Sequence, residues 1–274
     1  MHGYADIEQV FQIQTLYTCF EIEIAQDFFF IGERHNFWEL VFVLQGEVGV
    51  TAGEDIHILH QGQAVLHEPM EFHRLWYTGS APAKVSIISF GGVYVPNCGK
   101  FFTPTDPAYL ESLLRKISTT FERNEHDIIG LGNDFLYGQI LLKELELFFL
   151  KIHAQKPHTV SLEQSASAKN YIRIVRLLEN HIHMNLSISD IARMCSMSPV
   201  NAKQTFSRYA GIGIKEYFNR LKIKAAVSML QEGASVRETA ELLGFSSQQY
   251  FCTVFRRITG RTPSSVKQDG AAQS

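Results

Sequence analysis

Ser187-Ile-Ser-Asp-Ile-Ala192-Arg-Met-Cys-Ser-Met197 and Ser235-Val-Arg-Glu-Thr-Ala240-Glu-Leu-Leu-Gly-Phe245 follow one plan. Each leads into a second helix-like run, the first to Phe206, Tyr209 and Gly211, the second to Phe255, Ile258 and Gly260. Ala192 and Ala240 are 48 positions apart, as are Met197 and Phe245; Phe206 and Phe255 are 49 apart, so one residue is inserted after the turn. A duplicated helix-turn-helix is the simplest reading. Ala192 and Ala240 supply a small residue where two helices cross closely, and Gly244 can take the positive φ that such a turn often needs. Ser198-Pro199 reads as N-cap and first helical residue of one second helix. Ser246 or Ser247 caps the other.

The second helices are expected at Pro199–Tyr209 and Ser247–Ile258. In the latter, Phe251, Val254, Phe255 and Ile258 recur at i, i+3, i+4 and i+7, a buried stripe. Ser247, Gln248, Gln249, Thr253, Arg256 and Arg257 remain for the other face. In the former, Ala202, Phe206 and Tyr209 are core; Val200, Asn201, Lys203 and Gln204 face outward, with Arg208 placed for phosphate. Glutamine can pair bidentately with adenine, threonine can touch the thymine methyl, and arginine can hold phosphate.

The run Gly244-Phe-Ser-Ser-Gln-Gln-Tyr-Phe-Cys-Thr-Val-Phe-Arg-Arg-Ile-Thr-Gly-Arg-Thr-Pro263-Ser resembles the signature closing the DNA-binding domain of AraC/XylS-family transcription regulators. Ile191-Ala192, Ser198-Pro199, Phe206, Gly211 and Tyr217-Phe-Asn-Arg-Leu221 fit the same family, and the resemblance covers about residues 168–267. It implies double-stranded DNA as partner, with RNA polymerase a candidate second partner. A helix at Ile214–Leu230 would join the two motifs. It could set the recognition helices about one DNA turn, ~34 Å, apart.

Charge divides along the chain. From Ala168 onward there are 15 Lys and Arg against 7 Asp and Glu, a net +8; before it, 10 against 21, a net −11. A basic C-terminal part suits nucleic acid, and an acidic N-terminal part does not. Four dispersed cysteines, with no C-x-x-C, exclude a disulfide framework or zinc finger and suit a reducing cytoplasm. No apolar run of about 18 residues and no charged-then-apolar leader is present, so neither membrane span nor secretion is expected.

Residues 1–105 read as a β jelly roll or barrel. The expected strands are Thr15–Ile24, Phe28–Ile31, Phe37–Leu44, Glu47–Ala52, Ile56–Leu59, Ala64–His67, His73–Tyr77 and Val85–Ser89. Residues 106–154 read as helical, with Asp106-Pro107 opening a helix whose stripe is Leu110, Leu113, Leu114, Ile117 and Phe121. The run Ile128 to Ile152 is apolar on more than one face and needs two partners. Its own barrel is one and a twin helix in a homodimer the expected second, with Leu141 and Phe148 taken as interface residues. A linker is expected at 155–167 and a DNA-binding domain at 168–274, opening with a helix at Asn170–His183.

Glu33-Arg-His35-Asn-Phe-Trp-Glu39, followed after six residues by Gly46, resembles the first cupin motif from its second histidine onward. Pro69-Met-Glu-Phe-His73 resembles the end of the second. The resemblance implies a cupin-like sensor domain. Glu33 stands where the metal-binding pattern has its first histidine, so no metal and no cofactor is expected; His35, Glu39 and His73 are the ligands if one is held. Strand parity puts Glu33, His35, Phe37 and Glu39 on one face, with His73 and Tyr77 joining from another strand. Buried carboxylates and imidazoles need partners: each other, a metal, or a polar ligand such as a sugar. The opposite face, Trp38, Leu40, Phe42 and Leu44, needs a cover.

The resulting expectation is a cytoplasmic, non-enzymatic transcription regulator controlled by a small-molecule effector bound at Glu33, His35, Phe37, Glu39, His73 and Tyr77. The alternatives are a metal-dependent cupin enzyme fused to a DNA-binding domain, and a barrel serving only dimerisation.

Overall fold

A computed structural model describes residues 11–79, 81–124, 126–130, 132, 134–155 and 166–267. The chain divides into two compact units, Met1–Glu163 and Gln164–Ser274. Most of the expected linker, 156–165, lies outside the described residues.

The first unit is built on β2 (Trp38–Gln45), which is buried on both faces. Its neighbours are β5 (Ala64–His67) and β7 (Ala83–Val93), both antiparallel to it. With β1 (Gln12–Ile24), β8 (Phe101–Phe102), β9 (Glu122–Asn124) and β10 (Asp127–Gly130) they form a seven-stranded sheet of order β8-β5-β2-β7-β1-β10-β9. A second sheet, β4-β3-β6, comprises β3 (Glu47–Ala52), β4 (Asp55–His60) and β6 (His73–Trp76). Alternation along β2 explains why two sheets are needed. Val41 and Val43 join Val48, Val50, Leu59 and Leu75 in the core between the sheets. Leu40 and Phe42 join Leu110, Leu113, Leu141, Leu145 and Phe149 in the other core. The cover over the Trp38–Leu44 face is therefore helical: α1 (Pro107–Thr120) and α2 (Phe135–Gln155).

α1 begins as expected, with Asp106 accepting from the Tyr109 amide and Pro107 in the first turn. Four features differ from the sequence reading. Residues 28–31 are not a strand, and residues 33–37 precede β2 with only a Glu33–His73 bridge. β9 and β10 pair antiparallel with each other and are not part of a helix; Thr18 pairs with Asp127, so they extend the sheet edge. The sheet therefore continues past residue 105. Leu141 (0% exposed) and Phe148 (5%) lie in the unit's own core, so they are not the outer face of α2. An all-round apolar helix does not announce which stripe its own domain takes.

The second unit is helical: α3 (Ala166–Asn180), α4 (Ile188–Met194), α5 (Pro199–Ala210), α6 (Ile214–Gln231), α7 (Val236–Leu242) and α8 (Gln248–Thr259). The pairs α4–α5 and α7–α8 repeat in their chemistry. Ser187 and Ser235 each form a reciprocal capping box, with Asp190 and Glu238. Ser198 and Ser247 cap the following helices, and Gly211 and Gly260 end them in the left-handed region. Within the turns Ser196 (φ 54°) and Gly244 (φ 60°) are equivalent, 48 positions apart. A Cβ on Gly244 would meet the His183 carbonyl oxygen at 2.2 Å, so this turn admits glycine only. No helix among the described residues is long and apolar enough to cross a membrane.

Candidate functional site

Strand register draws a polar row across the large sheet. Glu39 on β2 lies opposite His67 on β5 and Ser89 on β7, and Thr18 on β1 lies opposite Ser89. The Thr18 hydroxyl donates to Ser89 Oγ (2.8 Å), and Ser89 donates to Glu39 Oε2 (2.9 Å). His73 reaches the same carboxylate from β6, with Nε2 3.4 Å from Oε1. His35 approaches from the segment before β2, with Nε2 3.5 Å from Oε2. Glu33 is brought alongside by its bridge to His73, with backbone hydrogen bonds of 3.0 Å in both directions. One ligand-type atom from each of Glu33, His35, Glu39 and His73 lies within 4.8 Å of the other three.

The imidazoles are oriented by the main chain. His35 Nδ1 is 3.0 Å from the Phe37 carbonyl oxygen, and His73 Nδ1 is 3.1 Å from that of Glu71. A carbonyl only accepts, so both Nδ1 atoms carry hydrogen and both Nε2 atoms turn towards Glu39. Neither Nε2 has a hydrogen-bond partner. Burial pushes the Glu39 carboxyl up, but its contacts with His35 and His73 outweigh this and hold it well below the usual carboxylate range. Burial pulls His73 down, and Glu39 more than offsets that, so His73 titrates above its ordinary value. His67, fully buried and stacked on His73 at 4.4 Å, is held below its ordinary value by burial.

Three members of this cluster, Glu33, His35 and Glu39, line a cavity of about 330 Å³. Glu33, His35, Phe37 and Glu39 line it, as the sequence predicts; His73 does not, and its side chain reaches the cluster through Glu39, with Nε2 3.4 Å from Oε1. Phe37 is stacked between His35 (3.7 Å) and Tyr17 (4.3 Å). Tyr77 is a correction: it lies beyond the end of β6, partly buried against the inter-sheet core, and does not line the cavity. Sequence reading missed Thr18, Phe20, Phe28, Ser89 and His126, which do. Parity along β1 could have offered Thr18 and Phe20 together. His126, stacked on Phe20 at 4.3 Å, has no local signal because the β9–β10 pair delivers it.

On the second unit, Val200, Asn201, Lys203, Gln204 and Arg208 of α5 are all exposed, as are Gln248, Gln249, Thr253 and Arg256 of α8. Ala202 and Phe206 are buried beneath the first set, and Phe251, Val254 and Phe255 beneath the second. Two expected contact residues have other partners. The Ser247 hydroxyl caps α8 by accepting from the Tyr250 amide (3.1 Å). Arg257 pairs with Glu216 of α6 at 2.8 Å, because it lies on the edge of α8 that turns towards α6. Tyr250, 38% exposed, is on the outward side of α8 and was not anticipated.

An AraC-like ligand binding domain model matches residues 16–128, and a helix-turn-helix domain model matches residues 191–269. The regulatory protein PocR of Salmonella typhimurium is 32% identical over 97 residues, 35% of this chain and 32% of PocR. The HTH-type transcriptional activator RhaS of Escherichia coli is 30% identical over 138 residues, 49% of this chain and 48% of RhaS. The chain thus spans a third to a half of the length of these relatives. A crystal structure of ToxT from Vibrio cholerae, bound to unsaturated fatty acid, aligns over 93% of this chain and 96% of that one, at 15% identity and a TM-score of 0.37. A sheet-rich ligand-binding unit followed by a helical DNA-binding-type unit defines a class of two-domain regulators. This chain belongs to the AraC family.

Proposed function

We propose that this protein is a sequence-specific DNA-binding transcription regulator, and not an enzyme, whose jelly-roll-like N-terminal unit binds a small effector in the cavity lined by Glu33, His35, Phe37 and Glu39. The observation that carries the DNA-binding half is the repeat of capped helix pairs, which makes two helix-turn-helix motifs. Each presents an outward polar face, α5 through Asn201, Lys203 and Gln204, α8 through Gln248, Gln249 and Thr253. Both faces belong to the part of the chain with net charge +8. Base edges would be read by these residues and phosphate held by Arg208 and Arg256. The test is site selection from random duplexes with the full chain, followed by affinity measurements across a salt series. Recovery of a common site whose affinity falls steeply with salt is expected. No salt-dependent binding to any duplex would overturn the reading.

The effector half rests on the cavity, whose volume lies in the range of small-ligand sites. Phe20, Phe28 and Phe37 offer apolar and stacking surfaces, and the carboxylates and imidazoles a polar floor. We further propose that the protein is a homodimer through the outer face of α2. Leu136, Ile140, Leu147 and Leu150 are all exposed there and follow the four-three spacing of a coiled-coil seam, with Lys143 at the intervening position.

A further inference from the structure

We infer that the effector of this cavity is an organic amine, its protonated nitrogen seated against Glu33 and Glu39 and its apolar body held among phenylalanine side chains. This rests on the proposal that the cavity holds the effector, and adds the chemical class of molecule that fits it.

Around the polar end of the cavity, the hydrogens of Thr18, Ser89, His35 and His73 are already spent within the protein. Thr18 donates to Ser89 at 2.8 Å, and Ser89 to Glu39 at 2.9 Å. His35 and His73 commit their Nδ1 hydrogens to the Phe37 and Glu71 carbonyls, at 3.0 and 3.1 Å. What the cavity receives is acceptors: the carboxylates of Glu33 and Glu39, and the Nε2 of His35, which has no hydrogen-bond partner. Behind them the Nε2 of His73, a residue 1% exposed, lacks a partner as well. A primary ammonium group has three hydrogens to donate and no acceptor. Charge-assisted bonds from it are about 2.7–2.9 Å long, so acceptors placed tetrahedrally around one nitrogen stand about 4.5 Å apart. Ligand-type atoms of Glu33, His35, Glu39 and His73 all lie within 4.8 Å of one another, so one nitrogen can reach several of them.

Charge and wall fit the same group. No lysine or arginine is among the described residues lining the cavity. The two arginines next to the acidic end in sequence turn elsewhere: Arg34 donates to the Met70 carbonyl at 3.3 Å, and Arg74 to that of Phe30 at 2.6 Å. A carboxylate or phosphate ligand would meet two carboxylates there and no side chain of fixed positive charge, a burial of like charges that costs binding. An uncharged polyol such as a sugar would leave most of its own oxygens without a donor. The rest of the wall is aromatic: Phe20, Phe28, Phe29, Phe30 and Phe37 all line it. Such rings cover an apolar body and also attract a cation. The part of the chain before Ala168 has 10 Lys and Arg against 21 Asp and Glu, a field that draws cations in and repels anions.

The experiment titrates the untagged full chain, with and without chelator, by calorimetry and thermal shift. The probes are hexylamine, 1-hexanol and hexanoate, and benzylamine, benzyl alcohol and benzoate. Within each series the body stays the same and only the head group changes. The amines should bind at least about 10-fold tighter than the alcohols, as bonds between a charged donor and carboxylates imply, and the carboxylates should bind more weakly than either. Glu33→Gln, a near-isosteric change at a partly exposed position, should remove most of the preference for amine. Alcohol affinity and the circular dichroism spectrum should stay as in the wild type, which guards against a folding artefact. Carboxylates that bind as tightly as amines, a preference that survives Glu33→Gln, or an amine response seen only without chelator overturns the inference. Alcohols or carboxylates that bind while amines do not overturn the amine class alone and leave the effector pocket standing. If no probe of either series binds, both fall.

Discussion

At the scale of single residues, the two proposed recognition helices separate side chains that read from side chains that hold. Gln249 and Thr253 are exposed on one face of α8, and the Thr253 hydroxyl is bonded to the Gln249 carbonyl at 3.0 Å, which leaves its methyl free for apolar contact. Replacing either by alanine should lower discrimination between cognate and random duplex by about 1–3 kcal/mol. Arg256→Ala should weaken both duplexes alike and reduce the salt slope by about one. Identical losses on random DNA for all three variants would remove the assignment of faces. Arg257 belongs to a different role, through Glu216. Burial pushes the Glu216 carboxyl up, but Arg257 and Arg220 outweigh that and hold it below its usual 4.5. A carboxyl lowered in the folded state binds fewer protons there than in the unfolded chain. Its contribution is therefore whole above pH 4.5 and disappears as pH falls through the lowered value. With Glu216 26% exposed the margin is below about 1 kcal/mol. Thermal melts of wild type and Glu216→Gln should converge as the pH falls below 4.5, and curves that stay parallel would show that the pairs contribute nothing.

At the scale of elements, the two turns are tied down differently: Arg173 donates to the Cys195 carbonyl at 3.0 Å in the α4–α5 turn, whereas a buried lysine sits against the α7–α8 turn. Lys222 of α6 is 3% exposed, and its ammonium donates to the Met184 carbonyl at 2.8 Å. A second carbonyl, that of Gly244, lies at 3.4 Å, and the rings of Phe218 and Phe245 flank the same ammonium. His183 Nδ1 lies 2.9 Å from the Leu242 carbonyl oxygen. Gly244→Ala would place a Cβ 2.2 Å from the His183 carbonyl oxygen in a left-handed backbone. It should cost more than about 2 kcal/mol of stability and move the loop that holds α8. At the equivalent place Ser196 already has φ 54°, so Ser196→Gly should be neutral or slightly stabilising, within about 1 kcal/mol. Denaturant midpoints of the two variants check the pair; equal shifts would mean that the turns are not held differently. The same locality made these elements legible. Caps, turn glycines and i, i+3, i+4 stripes lie within a dozen residues of one another, so α5 and α8 were placed within one residue of their observed ends.

At the scale of the whole molecule, α2 carries the prediction. Its inward stripe, Leu141, Leu145, Phe149 and Ile152, fills the core beneath the large sheet. Its outward residues Leu136 (73% exposed), Ile140 (53%), Leu147 (46%) and Leu150 (45%) form the proposed seam. Ile140→Glu with Leu147→Glu should convert a dimer to a monomer without loss of helix signal, as judged by light scattering and circular dichroism. Leu141→Glu with Phe148→Glu should instead unfold the unit, because it buries two carboxylates without partners. A wild type that is monomeric at every concentration ends the idea.

The sequence by itself determined the family, the division into a sheet-rich acidic part and a helical basic part, and the outward faces of the two proposed recognition helices. Each of these rests on periodicity, caps or composition, which are local and survive without coordinates. The sequence also named Glu33, His35, Phe37, Glu39 and His73, because the motif spacing is local, although residues 33–37 precede β2 and only Glu39 and His73 lie in strands. Only the tertiary structure decided what surrounds them. Ser89 meets Glu39 across fifty residues of chain, His67 enters by the register of β5, and His126 arrives beside β10, in a stretch that reads as helix in sequence. Pairing between distant strands is set by the packing of both faces of β2, and no stretch of sequence contains it.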